Sequence, residues 1–332
     1  MKIKSFIILV SIFILSSCFS DYFDHWEGEN TEPKISSIYP GDLTGELIIL
    51  PSKDALSSLV EKISQAKNRI WVETYTWTEK TTLEAVKNAG KNGRDVRVIL
   101  EGNVYGTPRV NDNAVDLMKE NGISVVYASS DYAFTHMKMW IIDNEWCIST
   151  GNWSLSTFTK NREFIFCSSD RSILHSLEEI FLADYKYLPP IFRTYGLDTR
   201  IGLAPLNLRS FLEENIKNAK NEIILYNQSI SDERILQLLS IKDKEKVNVE
   251  LCQSSKSNTG SMIKSLPYFT SNEPYLHAKV YLIDGKNILL GSANMTQNAI
   301  DNNREIMIKI ENNKNIYDKI KNLYNIDCKR QY

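Results

Sequence analysis

Two of the four histidines in this chain of 332 residues occupy equivalent places in a repeated pattern. His136 is followed two residues later by Lys138, and His277 is followed two residues later by Lys279. Side chains alternate along a β-strand, so residues two apart lie on the same face. An imidazole can attack phosphorus or transfer a proton, and an ammonium group can neutralise a phosphate oxygen. The two pairs are therefore candidate catalytic groups.

The repeated pattern extends beyond the lysines. An apolar run follows each lysine and ends at Asp143 in the first copy and at Asp284 in the second. The second copy continues with Gly-Ser-Ala-Asn at 291–294, and both copies later contain Asn-Arg-Glu, which ends at Glu163 and Glu305. A single His-x-Lys is a weak signal, but a long set found twice indicates a duplicated domain.

This set of residues resembles the signature of the phospholipase D superfamily, His-x-Lys-x4-Asp-x6-Gly-Ser-x-Asn. The second copy matches it in full, whereas the first copy reads Ser-Thr-Gly-Asn at 149–152. Asn152 and Asn294 both precede the glutamate of their copy by 11 residues, so one alignment makes Asn152 the family asparagine and Thr150 its serine. A rival alignment keeps Gly151 as the family glycine and leaves the serine position empty.

The resemblance implies a phosphodiesterase that forms a phosphohistidine intermediate. One imidazole attacks phosphorus, and the other protonates the leaving alcohol and then activates water. The family implies His136 as nucleophile and His277 as acid, although the near-symmetry of the copies leaves the order open. Glu163 and Glu305 would each orient an imidazole. The remaining assignments are phosphate contacts from Lys138, Lys279, Asn152, Ser292 and Asn294, and structural roles for Asp143, Asp284 and Gly291.

Three functions fit these residues. The first is hydrolysis or transfer of phospholipid head groups. The second is a metal-independent nuclease of the same superfamily, because Thr-Gly-Asn-Trp-Ser at 150–154 resembles the motif of the nuclease and cardiolipin-hydrolase branch. The third is a non-catalytic surface binding protein, suggested by the altered first Gly-Ser-x-Asn. The 39 basic and 41 acidic residues give a net charge of -2, which argues mildly against a nucleic-acid partner. We expect a monomer, because one chain carries both half-sites. We expect no cofactor or metal, because no Cys or His cluster has ligand spacing.

The elements that must position these groups alternate between strands and helices. Helical spacing over 56–63 precedes an apolar strand over 70–75, and a helix around 83–89 precedes a strand over 96–100. This alternation predicts an α/β fold, and the repeated motif predicts two similar halves. The resemblance implies that these are two pseudo-symmetric phospholipase D-like lobes. Each lobe is expected to hold a mixed, mainly parallel sheet flanked by helices, with the active site at the lobe interface. The first copy is about a dozen residues longer, within 101–113.

The N-terminal residues predict an export signal. Lys2 and Lys4 precede an apolar run over 6–15, about half the length that a membrane-spanning helix needs. Leu-Ser-Ser-Cys at 15–18 resembles a bacterial lipobox, which implies cleavage before Cys18 and its acylation. An uncleaved anchor is the alternative. The predicted organisation is a signal peptide (1–17), a lipid-anchored tether (18–45) and lobes at 46–195 and 196–332. The protein would lie in the bacterial cell envelope, anchored to a membrane outside the cytoplasm.

The other four cysteines are expected to have no catalytic role. Cys147 and Cys167 flank the first motif and are expected to pack as small apolar residues, with a cross-strand disulfide as the alternative. Cys252 and Cys328 are expected to be unpaired.

Overall fold

The computed structural model describes residues 43–187, 197–257, 266–271 and 273–329. The predicted signal peptide, Cys18 and most of the predicted tether lie outside these residues. The boundary predicted at 195/196 also lies outside them, so the division into lobes at that point stays a prediction. No helix in the described part of the chain combines the length and the apolar character needed to cross a bilayer.

The first lobe alternates strands and helices in the predicted order. Its elements are β1 (Glu46–Leu50), α1 (Lys53–Gln65), β2 (Arg69–Thr74), α2 (Lys80–Lys91), β3 (Asp95–Leu100), α3 (Asp112–Glu120), β4 (Ser124–Tyr127), β5 (Lys138–Ile142), β6 (Glu145–Ser149), α4 (Leu155–Thr159), β7 (Asn161–Ser168) and α5 (Arg171–Tyr185).

The second lobe follows the same order, except that no helix in its described residues corresponds to α3 and a two-residue strand precedes its motif strand. Its elements are β8 (Ile201–Ala204), α6 (Leu208–Asn218), β9 (Glu222–Asn227), α7 (Glu233–Lys244), β10 (Asn248–Ser254), β11 (Tyr268–Ser271), β12 (Tyr275–Leu276), β13 (Lys279–Ile283), β14 (Asn287–Gly291), α8 (Gln297–Asp301), β15 (Glu305–Ile310) and α9 (Lys314–Lys329).

The two sheets have the same topology. The strand order is β1-β7-β6-β5-β2-β3-β4 in the first sheet and β8-β15-β14-β13-β9-β10-β11 in the second. The predicted α/β class and the two matching lobes are confirmed. The expected parallel majority is wrong, because each path contains two parallel and four antiparallel neighbours. The strands that follow each histidine are joined by short hairpins, and a hairpin reverses the chain.

A shared hydrophobic core joins the two sheets. The motif strands β5 and β13 are buried along their whole length. Met139, Ile141 and Phe166 of the first lobe belong to the same buried cluster as Val280 and Leu282 of the second lobe. The opposite face of each sheet packs against helices in a separate cluster. Apolar burial on this scale is the main favourable term in folding, so it fixes the motif strands in place.

Two disulfides link the four cysteines of the described chain. Cys147 and Cys167 are register partners on β6 and β7 with a Cα–Cα distance of 4.1 Å, and Cys252 of β10 bonds to Cys328 of α9. The expected apolar packing of the first pair is replaced by its alternative, the cross-strand disulfide. The expectation that Cys252 and Cys328 are unpaired is wrong. These two residues are 76 positions apart, and only the packing of α9 on the sheet brings them together.

We expect the two disulfides to stabilise the fold unequally. Loop-closure entropy favours the bond that closes 76 residues over the one that closes 20, by about 1 kcal/mol. The double variant Cys252→Ser/Cys328→Ser should therefore lose more free energy of unfolding than Cys147→Ser/Cys167→Ser in urea denaturation under oxidising conditions. Under reducing conditions the difference should shrink. An equal or reversed ranking under oxidising conditions would contradict this expectation.

Candidate active site

The two histidines lie where the lobes pair with each other. Arg304 donates its backbone N–H to Phe134 O at 2.8 Å, and His136 donates its own to Arg304 O at 2.9 Å. At the equivalent place in the other half, β12 pairs with the start of β7. His277 there donates its backbone N–H to Arg162 O at 3.3 Å. Each segment before a histidine therefore extends the other lobe's Asn-Arg-Glu strand.

Because of this pairing, the histidine of each lobe contacts the glutamate of the other lobe. His136 Nδ1 lies 2.9 Å from Glu305 Oε1, and His277 Nδ1 lies 2.5 Å from Glu163 Oε1. Both glutamates are fully buried. An imidazole held through Nδ1 has Nε2 free for chemistry. The family resemblance implied that the glutamates orient the imidazoles, but nothing in the sequence indicated that each glutamate serves the histidine of the opposite copy.

A hydroxyl group supports each glutamate. Thr150 Oγ1 donates to Glu163 Oε2 and Ser292 Oγ donates to Glu305 Oε2, both at 2.6 Å. The strand register pairs Ser149 with Ile165 and Gly291 with Met307, which makes 149–152 equivalent to 291–294. The alignment with Thr150 in the serine position is confirmed, and the rival alignment through Gly151 is wrong.

The hydroxyl of Ser292 is engaged with a carboxylate and with the backbone. It also accepts the Ile306 N–H at 3.0 Å and is fully buried. Its predicted contact with a substrate phosphate therefore stays a prediction, while its contact with Glu305 is observed. Gly291 has a packing reason for its identity, since an added Cβ would lie 2.0 Å from Ile306 O.

Both motif lysines are fully buried beside their histidines. Lys138 Nζ donates to His136 O at 2.8 Å, and Lys279 Nζ donates to His277 O at 2.5 Å and to Thr150 O at 3.1 Å. Burial lowers the pKa of Lys138 well below its ordinary value and that of Lys279 to about 8. An additional negative charge in the site would favour their charged form.

The two histidine–glutamate pairs differ electrostatically. Burial and the nearby lysines lower the pKa of His136 well below 6.5. Burial also lowers the pKa of His277, but Glu163 opposes this shift. Against its own burial, Glu163 has its pKa lowered to about 2 by His277 and Lys279, whereas burial raises the pKa of Glu305 to about 7. Similar geometry thus gives a firmly ionised carboxylate only beside His277.

The two asparagines present unsatisfied atoms at equivalent places. Asn152 Oδ1 and Asn294 Oδ1 are buried and have no hydrogen-bond partner in the described part of the chain. Buried amide atoms normally have a partner, but a phosphodiester oxygen cannot satisfy Oδ1, because both atoms only accept hydrogen bonds. A contact with phosphate would use the Nδ2 amide group of each side chain as donor. Their assignment as phosphate ligands stays a prediction.

The two aspartates fix the strand ends. Asp143 accepts the backbone N–H groups of Lys67, Asn68 and Arg69, and Asp284 accepts those of residues 220–222. Both aspartates have positive φ, at 53° and 54°, where they end the motif strands. Each therefore joins its motif turn to the start of the neighbouring strand, in keeping with the structural role predicted for it.

The sequence reasoning missed the two arginines of the Asn-Arg-Glu repeats. Arg162 pairs with Asp327 and donates to Leu50 O, both at 2.7 Å. Arg304 pairs with Asp184 at 2.8 Å and donates to Ala204 O at 3.2 Å. Each arginine therefore joins the glutamate-bearing strand of its own lobe to the last helix of the other lobe. Their repetition in the sequence was the available signal.

The structure shows no plausible metal centre in the described residues. The potential ligand atoms that lie close together there belong to Glu145, Cys147 and Cys167. The sulfurs of the two cysteines form a disulfide. This cluster belongs to the hairpin behind the site.

Each of two similar lobes places one His-x-Lys motif at their interface, so the chain has a duplicated α/β fold. Residues 59–185 and 212–326 match the family model described as "Cardiolipin synthase, PLD-like domain". The chain therefore belongs to the phospholipase D-like family.

Known relatives and structures agree with this fold. Cardiolipin synthase 1 of Bacillus anthracis is 23% identical over an alignment of 329 positions. This alignment covers 80% of this chain and 63% of that protein. A cardiolipin synthase of Listeria monocytogenes is 28% identical over 150 residues, 42% of this chain and 30% of that protein. The chain thus spans less than two thirds of the length of these relatives. Phosphatidylserine synthase from Haemophilus influenzae has a TM-score of 0.64 at 12% identity, with 86% of both chains covered. Polyphosphate kinase from Porphyromonas gingivalis has a TM-score of 0.67 at 16% identity, over 85% of this chain and 50% of that one.

We expect both site histidines to titrate below pH 6.5, because burial disfavours their charged form. Replacing Glu163 with Gln removes the charge that raises the pKa of His277, so that pKa should fall further. NMR titration of isotope-labelled histidine measures this directly, since the chain has four histidines. The matched variant Glu305→Gln should perturb His136 most. If Glu163→Gln instead shifted mainly His136, the crossed pairing would be wrong.

Proposed function

We propose that the protein is a phosphodiesterase of the phospholipase D type, which hydrolyses or transfers phospholipid head groups through a phosphohistidine. The observation that carries the proposal is the meeting of both histidine–glutamate pairs and both buried lysines at one lobe interface. Lys279 of the second lobe donates to Thr150 O of the first lobe at 3.1 Å. Besides burial, the nearby charges of Lys138, Lys279 and His277 lower the pKa of His136, in keeping with one shared site.

The charge of the site suits a phosphodiester. Such a substrate carries one negative charge, which repels nucleophiles. Lys138 and Lys279 place two ammonium groups beside the imidazoles, and the amides of Asn152 and Asn294 add hydrogen-bonding groups. Preorganised charge of this kind stabilises the charge that develops on the phosphoryl oxygens in the transition state. The phosphate in turn favours the charged form of the buried lysines.

The surroundings of the two histidines support a different role for each of them. His136, with its strongly lowered pKa, is the neutral imidazole that attacks phosphorus through Nε2. The N–P bond forms as the P–O bond to the alcohol breaks, and His277 gives its Nε2 proton to the departing oxygen. Ionised Glu163 stabilises the imidazolium of His277 before this transfer. Water or a second alcohol then attacks phosphorus, gives its proton to His277, and releases His136.

The relatives support a lipid substrate. Those aligned over most of this chain are cardiolipin synthases, and the matching family model bears the same name. The choice between water and a second alcohol as acceptor is open to direct measurement. Both outcomes use the same covalent intermediate.

We expect the full chain in detergent micelles to cleave phosphatidylglycerol, phosphatidylcholine or cardiolipin in the presence of EDTA. His136→Ala and His277→Ala should each lower kcat by at least about 100-fold, since each removes a nucleophile or an acid–base group. His175→Ala is the control, because that side chain is 70% exposed. With a ³²P-labelled aryl phosphodiester, whose leaving group needs no acid, His277→Ala should retain a labelled histidine that His136→Ala lacks.

Two results would overturn this proposal. One is cleavage of single-stranded DNA without cleavage of any of the lipids, which would favour the nuclease. The other is equal activity of the alanine variants and the wild type.

We also propose that Cys18 anchors the protein to a membrane outside the cytoplasm. The pattern at 1–18 supports this assignment, as do the two disulfides, because such bonds persist mainly in oxidising compartments. Acylation of Cys18 would hold the site beside its substrate.

The anchor is tested by substitution in cells. Cys18→Ala should abolish incorporation of labelled palmitate and shift the protein out of the detergent-extracted membrane fraction, whereas Ser20→Ala should change neither. Unaltered labelling of Cys18→Ala would refute acylation at this residue.

A further inference from the structure

The catalytic groups of the two lobes match, but the residues that flank them do not. The register pairs Thr74 with Lys138 and Asn227 with Lys279. The residue after each of these strand ends is Tyr75 in the first lobe and Gln228 in the second. The two lobes therefore contribute the same catalytic side chains, whereas the residues that line the site beside them differ.

An aromatic row leads from solvent to His136. We give this name to Tyr105, Phe134 and Tyr75. The ring of Tyr75 contacts the imidazole of His136 edge-on, with centroids 4.8 Å apart. Phe134 lies 6.1 Å from Tyr75 and 6.4 Å from Tyr105, both in edge-to-face geometry. Tyr105 is 83% exposed, and its backbone N–H donates to the Tyr75 hydroxyl at 2.8 Å.

A polar row flanks His277 in the equivalent place. It consists of Gln228, Tyr275 and Lys256. Gln228 Nε2 donates to the Tyr275 hydroxyl at 3.1 Å, and Lys256 Nζ lies 5.2 Å from the centre of that ring. The Tyr275 ring lies 6.2 Å from the imidazole of His277. This side thus offers an amide, a phenolic hydroxyl and an ammonium group.

The aromatic row depends on the segment by which the first copy is longer. Tyr105 lies between β3 and α3, and α3 has no helical counterpart between β10 and β11 in the described residues of the second lobe. An aromatic side chain exposed this fully has lost little apolar surface to the fold. Its contacts place it against Phe134, at the outer end of a row that ends on a reactive imidazole.

We infer that the aromatic row binds the diacylglycerol arm of the substrate and that the polar row binds the head group. This inference rests on the proposed function and adds an orientation to it. A phospholipid has one apolar and one polar ester arm on the same phosphorus. Aromatic faces gain free energy when they cover apolar chain, and polar side chains can replace the water around a head group.

The orientation decides which bond breaks. In-line attack by His136 places the leaving oxygen on the side of His277. The arm that leaves is then the head group on the polar row, and the diacylglycerol arm stays with the phosphohistidine. The asymmetric walls would thereby select one direction of reaction in a nearly symmetric site.

The test compares one phosphodiester with and without acyl chains. The substrates are dihexanoylphosphatidylglycerol below its micelle concentration and glycerophosphoglycerol, with released glycerol as the readout for the full-length protein. Tyr105→Ser should lower the ratio of the two kcat/KM values (diacyl over deacylated) about tenfold, since it removes apolar contact from the acyl chains alone. Adding Phe134→Ala should lower the ratio further. Ile241→Ser, which replaces a 51% exposed residue on α7, is the control and should leave the ratio unchanged.

The variant Gln228→Leu tests the other row. It should lower kcat/KM for both substrates by a similar factor, because both carry the same head group. A ratio that responds to Gln228→Leu and not to Tyr105→Ser would reverse the orientation, and a ratio that responds to neither would refute it. If the wild type cleaves neither these substrates nor the lipids named above, the proposed function itself fails.

Discussion

The crossing of each glutamate to the histidine of the other lobe is the interaction on which the site depends. Glu305 reaches His136 and Glu163 reaches His277 only because the segments before the histidines pair with the opposite Asn-Arg-Glu strands. One lobe alone therefore contains an imidazole without its carboxylate. The shared core between the sheets keeps the crossing in register, since a one-residue slip in these strands would turn the glutamates away from the site.

Burying four ionisable groups and two imidazoles between apolar sheets carries a large desolvation cost. The hydroxyls of Thr150 and Ser292 offset part of it by donating to the two carboxylates. Burial is the main reason why the pKa values of the lysines and histidines are lowered, because it disfavours their charged forms. A phosphodiester would add a negative charge that favours these charged forms, so it would offset part of the desolvation cost.

Much of this arrangement was predictable from the sequence, because it lies in local patterns. The repeated His-x-Lys-x4-Asp located both motif strands, the alternation of elements gave the α/β class, and the distance from asparagine to glutamate aligned Thr150 correctly. What failed depends on contacts between residues distant in the chain. The Cys252–Cys328 bond, the partners of Arg162 and Arg304, and the crossing of the glutamates are all set by packing that no local spacing encodes. The direction of neighbouring strands was also misjudged, since buried apolar runs occur in antiparallel as well as parallel neighbours.

A duplicated site raises a physical question of direction. If both halves were identical, a substrate could bind in two orientations with equal free energy, and either ester bond could break. Two departures from symmetry act in the same sense here. Glu163, with its pKa of about 2, favours a charged His277, whereas Glu305 does not give His136 the same support. The walls place aromatic rings by His136 and polar groups by His277. The proton donor and the polar leaving group are thus placed on the same side of the phosphorus. The first difference concerns the charges of buried groups, and the second concerns the aromatic and polar rows that line the site. Because different residues carry them, the two differences can change separately. A relative could keep the roles of the two histidines while changes in the segment between β3 and α3 adapt the lining of the site to another substrate.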